Sequence, residues 1–469
     1  MSQPPIEPTP ASWADLLSAR NLLRSLALTG GIALHAVNIY IVATVLPTVV
    51  REIGGLEYYA WNTTLFVVAS IAGSVLATRL IQRCGARAAY LLALALFCAG
   101  ATICAAAPSM PWLLFGRTVQ GLGGGLLFAL AYALIRLIFD EALWGRVMAL
   151  VSGVWGAATL LGPAVGGIFS QAGHWRWAFL AVLPVAAALA LIVIGQLERK
   201  PAGGATGPLP LGRIGLLVAS VLAISLASLA PRPGWNVAGI GAGLALLLWM
   251  VALDRKATVR LMPRGGYALS SPLGAIYACM ALLIIGISSE VFIPYFLQTI
   301  HGHTPLAAGY MTAFLSFGWT AASLLSSGRT GAAADRMVRL AAPIVLASLL
   351  ALMLATPNPA AMAGDAGTAL YCMLLAAAGF GIGLGWPHLA IRVFNGASAG
   401  DETLAASSIT TVQLYATALA AALAGVVANG AGISDPGGVA GAQNAAWWLF
   451  GSFAAAPALA LVLTGRILR

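Results

Sequence analysis

The sequence predicts an all-α polytopic membrane protein whose fourteen transmembrane helices fall into groups of six, two and six, with twelve helices as the alternative. Composition, apolar run length and charge distribution carry that prediction. Of the 469 residues, 60% are hydrophobic and 8% charged, and 54 are glycine. A soluble domain carries about 25% charged residues, so this deficit excludes a soluble fold. A helix needs about 20 apolar residues to cross the hydrocarbon layer. Runs of that kind recur near 26–49, 60–81, 88–107, 111–138, 147–170 and 177–195, then near 212–230 and 235–253. Six more lie near 271–298, 305–327, 340–356, 367–394, 403–428 and 444–465. With the N-terminus inside, twenty of the 24 basic residues fall on the cytoplasmic side. Only Arg51, Arg176 and Arg232 fall outside, and Arg117 lies within the fourth run. That bias places both termini in the cytoplasm. An inserted helix pair preserves parity, so charge alone does not separate fourteen spans from twelve.

Taken in order, residues 1–25 form a cytoplasmic N-terminal segment. Its Trp13, Leu16, Leu17 and Leu22 alternate with Asp15, Arg20 and Arg24, which reads as an amphipathic surface helix and not as a cleaved signal. Residues 26–200 hold the first six-helix bundle. Residues 201–264 hold the linkers and the two additional helices, and 265–469 the second bundle. The Gly- and Pro-rich stretch between Glu198 and Arg213 is the first linker, and the basic run Arg255–Arg264 is the second. The net charge of +10 resides in short loops between spans, which explains it as an orientation signal and argues against a nucleic-acid partner. The cysteines at 84, 98, 104, 279 and 372 lie in or beside apolar runs without a CxxC pair. They read as small core residues, with no metal site.

Polar residues inside spans are the functional candidates. Glu290 lies in the apolar run Ser271–Gln298, predicted as one continuous helix with eight residues still to follow it. An ionised carboxylate near the bilayer interior costs at least about 2.5–3.5 kcal/mol, so such residues usually face a cavity and carry function. Glu290 is therefore the candidate proton-coupling residue. Arg117 needs a cavity, an acid or a carbonyl for its guanidinium. His35 and Asn38 are three apart and share a helical face; with Tyr40 they predict a polar edge of a central cavity. Gln120, Tyr295, Gln298 and Gln413 complete that cavity set, with Tyr415 as a further polar contact. Trp155, Trp319, Trp386 and Phe317 are candidates for an apolar lining.

Several motifs sit at equivalent or ordered places. The segment Gln82-Arg83-Cys84-Gly85-Ala86-Arg87 is predicted as a short cytoplasmic loop between spans two and three. Gly331 to Asp335-Arg336, followed by Arg339, occupies the matching loop of the second bundle, which suggests an internal repeat. Span four carries Arg117-Thr-Val-Gln120-Gly121-Leu-Gly123-Gly124-Gly125, whose glycines admit a neighbouring backbone. Span five carries Gly162-Pro163-Ala-Val-Gly166-Gly167: a small-xxx-small face with a proline that bends the outer half, where an external gate would lie. Trp175-Arg176-Trp177 follows as an interfacial belt. These elements, in this order, resemble the major facilitator superfamily over nearly the whole chain. The six-two-six layout, the Gly162–Gly167 motif and Phe292-Ile-Pro294-Tyr295-Phe-Leu-Gln298 are similar to its fourteen-span drug:proton antiporter branch. The chain departs from the family at Gln82, where the loop motif has an acid, at Thr78, where it has glycine, and at Asn38, where many relatives place a membrane aspartate.

The resemblance implies a secondary active transporter: a proton-coupled antiporter that exports lipophilic or cationic drugs by alternating access, multi-pass in the cell inner membrane. The alternative is an exporter or symporter of one specific metabolite. Partners are then a small-molecule substrate, protons and the lipid bilayer, with a monomeric carrier and no cofactor. ATP-driven pumping is excluded because neither Lys200 nor Lys256 follows a glycine, so no phosphate-binding loop exists. No nucleophile–base pair or metal-ligand spacing points to an enzyme.

Overall fold

The computed structural model describes residues 19–139, 141–197, 209–230, 232–398 and 400–468. The N-terminal amphipathic segment, up to residue 18, and most of the first linker (198–208) lie outside the described residues. The described chain is helical, with no strand. In order, the helices are α1 (Ala19–Ile53), α2 (Trp61–Ala105), α3 (Met110–Ile138), α4 (Glu141–Gln171), α5 (Trp175–Leu180), α6 (Val182–Gln196), α7 (Leu211–Ala227) and α8 (Pro233–Lys256). After them come α9 (Pro272–Ile287), a 3-10 turn (Ser288–Phe292), α10 (Ile293–Thr299), α11 (Pro305–Ser326) and α12 (Gly331–Ala355). The last four are α13 (Gly364–Gly396), α14 (Glu402–Gly430), α15 (Gly438–Phe453) and α16 (Ala455–Ile467).

Among the described residues, eleven stretches are long and apolar enough to cross a membrane. Local chemistry marks the starts of α9 and α11. Ser271 Oγ accepts from Gly274 N at 3.0 Å, and Thr304 Oγ1 from Ala307 N at 3.3 Å, each just before a proline in the first turn. Helix α2 holds 45 residues, about 68 Å at the α-helical rise, which is twice the hydrocarbon thickness. Its break is Gly85, at φ 83° and ψ 162°, a conformation that glycine alone adopts freely. The predicted loop at 82–87 is thus no loop: Gln82–Cys84 and Ala86–Arg87 remain helical on either side of one residue. The matching prediction for 331–339 is corrected in the same way, since Asp335, Arg336 and Arg339 lie in the first turns of α12.

Packing within each group joins both consecutive and separated helices. Helix α2 packs on α3, α1 on α4, and α13 on both α11 and α12, while α7 and α8 form a hairpin against α14. The two groups meet where α4 abuts α11 and α2 abuts α14. Many of these joints lie at the end of the molecule where α1 finishes, termed here the distal end. Tyr59 stacks on Phe292 with ring centroids 4.9 Å apart, and Asn429 donates 2.9 Å hydrogen bonds to the carbonyls of Glu57 and Ser228.

Candidate functional site

Two polar constellations occupy the interior, and the sequence had merged them into one. The first lies within the N-terminal group. Arg117 is 2% exposed, and its Nη1 donates to Gln120 Oε1 at 2.6 Å. Its guanidinium lies 4.1 Å from the centroid of the Phe66 ring. Gln120 Nε2 in turn donates to Asn38 Oδ1 at 3.0 Å. His35 stacks on Phe66 at 5.3 Å and approaches Trp155 edge-on at 6.5 Å. One turn spacing on α1 brings His35 and Asn38 to the same face of the α1–α3 contact, as their spacing predicted. All four side chains are buried, so they form a packed polar core instead of the edge of an open cavity. Arg117 has no acid partner among the described residues; an amide oxygen and an aromatic face take that place. Phe66 was missed because an aromatic in a span reads as packing until its partner is known.

The second constellation joins the two groups. Tyr40, predicted beside His35 and Asn38, instead turns to the opposite helix group, and its hydroxyl lies 2.9 Å from Ser316 Oγ of α11. Residue 40 is two positions from 38, about 200° around a helix, which puts the two on different faces. Glu290 lies within electrostatic reach of Tyr40. The continuous helix predicted through Glu290 is corrected: α9 stops at Ile287, and Glu290 occupies the 3-10 turn before α10. Pro294 accounts for the break, because it lacks the N–H that an uninterrupted helix would pair with the Glu290 carbonyl. Glu290 is half-buried, and its carboxylate has no hydrogen-bond or ion-pair partner among the described residues. Ser316 was not foreseen; nothing in an apolar run distinguishes a serine that faces another helix group.

The Gly162–Gly167 segment lies at the seam beside this pair. A methyl group at Gly162 would overlap Tyr40 Cβ, and one at Gly166 would lie 2.8 Å from the Ile41 carbonyl oxygen. At Gly167 it would lie 2.6 Å from Leu306 Cα, across the seam in α11. Pro163 faces Gly309 there. The motif therefore presses α4 against α1 and α11 together.

The sequence profile described as Major Facilitator Superfamily matches residues 28–425. The chain belongs to that superfamily. It is 40% identical over 458 residues to a protein described as a "Probable multidrug-efflux transporter" in Mycobacterium tuberculosis, covering 96% of this chain and 95% of that protein. It is 26% identical over 378 residues to Multidrug resistance protein 3 of Bacillus subtilis, covering 79% and 72%. Among solved structures, a POT family transporter in complex with 5-aminolevulinic acid superposes with a TM-score of 0.67 at 14% identity, covering 95% of this chain and 96% of that one. A D-xylose-proton symporter superposes with a TM-score of 0.64 at 14% identity, covering 95% and 97%. Those two likenesses concern the fold.

As a major facilitator protein, the chain carries its two loop-type motifs unequally. Asp335 forms an ion pair with Arg392 of α13. Arg336 is exposed. In the first copy, Arg83 is exposed and Arg87 half-buried, and neither has a carboxylate partner among the described residues, with Gln82 where an acid would stand. Other predicted cavity residues separate. Gln298 accepts from Arg51 Nη2 at 3.5 Å near the distal end, and Tyr295 packs on Tyr59 at 5.6 Å. Gln413 is half-buried, and its backbone carbonyl accepts from Thr417 Oγ1 at 2.9 Å. Tyr415 is paired with Ser220 of α7 at 2.9 Å. Trp319 and Trp386 pack together at 5.5 Å, and Phe317, 65% exposed, lines an apolar hollow with Leu160 and Phe314 between α4 and α11.

Asp254 is the acid that sequence reasoning undervalued. It ends α8, yet it is fully buried. Arg213 Nη1 pairs with it at 2.5 Å, Tyr267 Oη donates at 2.9 Å, and the amides of Leu261 and Met262 donate at 2.9–3.3 Å. Its position at a helix end hid it, because the segment that buries it is a loop folding back.

Proposed function

We propose that this major facilitator protein is a proton-coupled antiporter that exports lipophilic or cationic compounds by alternating access. The observation that carries the proposal is Glu290: a carboxylate in the 3-10 break of a membrane span, with no hydrogen-bond or ion-pair partner among the described residues. Protonation would remove its charge, and deprotonation would restore it, so the two states weight the conformations differently. Coupling requires that difference in affinity between conformations. The multidrug-efflux description of relatives at 40% identity supports the cargo class.

Fourteen crossings are proposed with it. Counting Leu56–Ala105 as two spans split at Gly85, and adding Leu211–Ala227 and Pro305–Ser326, raises eleven candidates to fourteen. The basic bias supports cytoplasmic termini, and the carrier is proposed to be a monomer of the inner membrane with bundles at 26–200 and 265–469 flanking 201–264.

The test is transport of a lipophilic cationic dye in proteoliposomes, wild type beside Glu290→Gln. Dye movement driven by an imposed pH gradient, and abolished in the variant, is the expected result. Equal transport by both proteins would make Glu290 structural and remove it from the coupling step. A wild type that moves no dye would turn the reading toward one specific metabolite.

A further inference from the structure

Helix α8 is loosely held, with Gly243, Met250 and Asp254 as its only buried residues. Its remaining surface stands away from α9 and α14 and leaves an apolar crevice of about 500 Å³. Leu248, Val251, Tyr277, Ala281, Ile285 and Leu419 contribute to its walls. Arg255 lines this crevice and also a neighbouring hollow of about 310 Å³, which it shares with Arg260 and Arg264. A third hollow of about 290 Å³ continues along Arg260 and Arg264 toward Asp401.

None of the three guanidiniums has a carboxylate partner among the described residues. Arg255 Nη2 donates to the Tyr267 carbonyl at 3.3 Å, and Arg260 Nε to the Ala257 carbonyl at 3.2 Å. The nearby acids are already engaged. Asp254 is enclosed by Arg213, Tyr267 and two backbone amides, and Asp401 accepts from the backbone N–H of Arg264 at 3.2 Å. Asp254 thereby folds the 257–268 segment back on α8 and gathers Arg255, Arg260 and Arg264, none of them in an ion pair among the described residues, at one end of an apolar crevice bordered by one further carboxylate, that of Asp401.

We propose that this crevice binds one anionic glycerophospholipid, with its phosphate on Arg255, Arg260 and Arg264 and its acyl chains along α8, α9 and α14. Charge and shape both select that occupant. A soluble anion would make no use of the apolar walls, and a neutral lipophile would leave three guanidiniums without a counter-ion. Basic residues just beyond a membrane helix attract anionic headgroups. The bound lipid would fill the gap between the α7–α8 hairpin and the second helix group, giving the additional helices a membrane-dependent attachment. The proposal is independent of the transport reading.

The test is native mass spectrometry of the full-length protein in neutral detergent with added phosphatidylglycerol or phosphatidylcholine. The expected result is one retained phosphatidylglycerol and no retained phosphatidylcholine. Replacing Arg255, Arg260 and Arg264 together by Gln should weaken retention roughly 100-fold, the scale expected for three near-surface charges. Replacing the same three by Lys should preserve most of it. Ala281→Trp, which fills the crevice while leaving every arginine in place, should also abolish retention. Unchanged elution and melting of each variant would confirm that it is folded. Equal retention of both lipids, or full retention by the triple Gln variant, would overturn the proposal. Displacement by millimolar inorganic phosphate, with Ala281→Trp behaving as wild type, would reduce the site to a phosphate site and overturn it equally.

Discussion

Gln120→Leu should destabilise this protein far more than Arg117→Met, although Arg117 carries the charge. The guanidinium is 2% exposed and held by one 2.6 Å hydrogen bond to Gln120 and by the Phe66 ring at 4.1 Å, while its Nε has no partner among the described residues. A hydrogen bond to a charged group contributes about 1.5–3 kcal/mol, and a desolvated cation–π contact about 2 kcal/mol. Removing a guanidinium from water without a carboxylate costs several kcal/mol, so these contributions nearly cancel. Arg117→Met removes the guanidinium's gain and its desolvation cost together, leaves only the buried Gln120 Oε1 without its donor, and should cost no more than about 1–2 kcal/mol. Gln120→Leu removes the hydrogen bond, leaves the desolvation cost against the Phe66 contact alone, and strips Asn38 Oδ1 of its donor; a loss of about 3–5 kcal/mol follows. Melting in one detergent, with wild type and both variants side by side, reads the rank order. If Arg117→Met melts as low as Gln120→Leu, the guanidinium is stabilising in its own right and the reasoning fails.

Other predictions test the seam and the distal end. Tyr40→Phe and Ser316→Ala should each weaken the contact between the helix groups, and a double-mutant cycle should return a coupling of about 1 kcal/mol; additive effects would show that the 2.9 Å contact carries no energy. Gly162→Ala should cost about 1–3 kcal/mol in melting experiments, because its methyl overlaps Tyr40 Cβ. Gly153→Ala, where a methyl meets nothing within 4 Å, should be neutral or slightly stabilising. Equal melting of the two variants would contradict the packed seam. His301, in the turn between α10 and α11, donates from Nε2 to the Thr356 carbonyl at 2.8 Å, and burial holds its pKa below the ordinary 6.5. The unfolded chain then binds the proton more readily, so stability from His301 is full above pH 6.5 and falls as pH drops below it. Melting at pH 8 and pH 5 should differ less for His301→Gln than for wild type, and an identical pH difference would refute this.

The all-helical membrane class, the intramembrane polar residues and the superfamily resemblance were legible in the sequence, because apolar length and glycine spacing are properties of consecutive residues. The pairing of His35 with Asn38 on one face followed from helical periodicity for the same reason. Periodicity also spoke against placing Tyr40 with them, but only the packing of α11 against α1 supplied Ser316 as its partner. The break at Glu290 was written locally in Pro294, four residues on, and was obscured by the uniform hydropathy around it. What the tertiary structure decided was which polar groups are satisfied. Among the described residues, Arg117 meets an amide and a ring instead of an acid, Asp254 is enclosed by a returning loop, and Glu290 has no hydrogen-bond or ion-pair partner. The Arg117–Gln120 bond follows from i,i+3 spacing on α3, but the Phe66 ring under Arg117 and the loop around Asp254 bring together atoms distant in the chain, and a one-dimensional pattern holds no information on that distance.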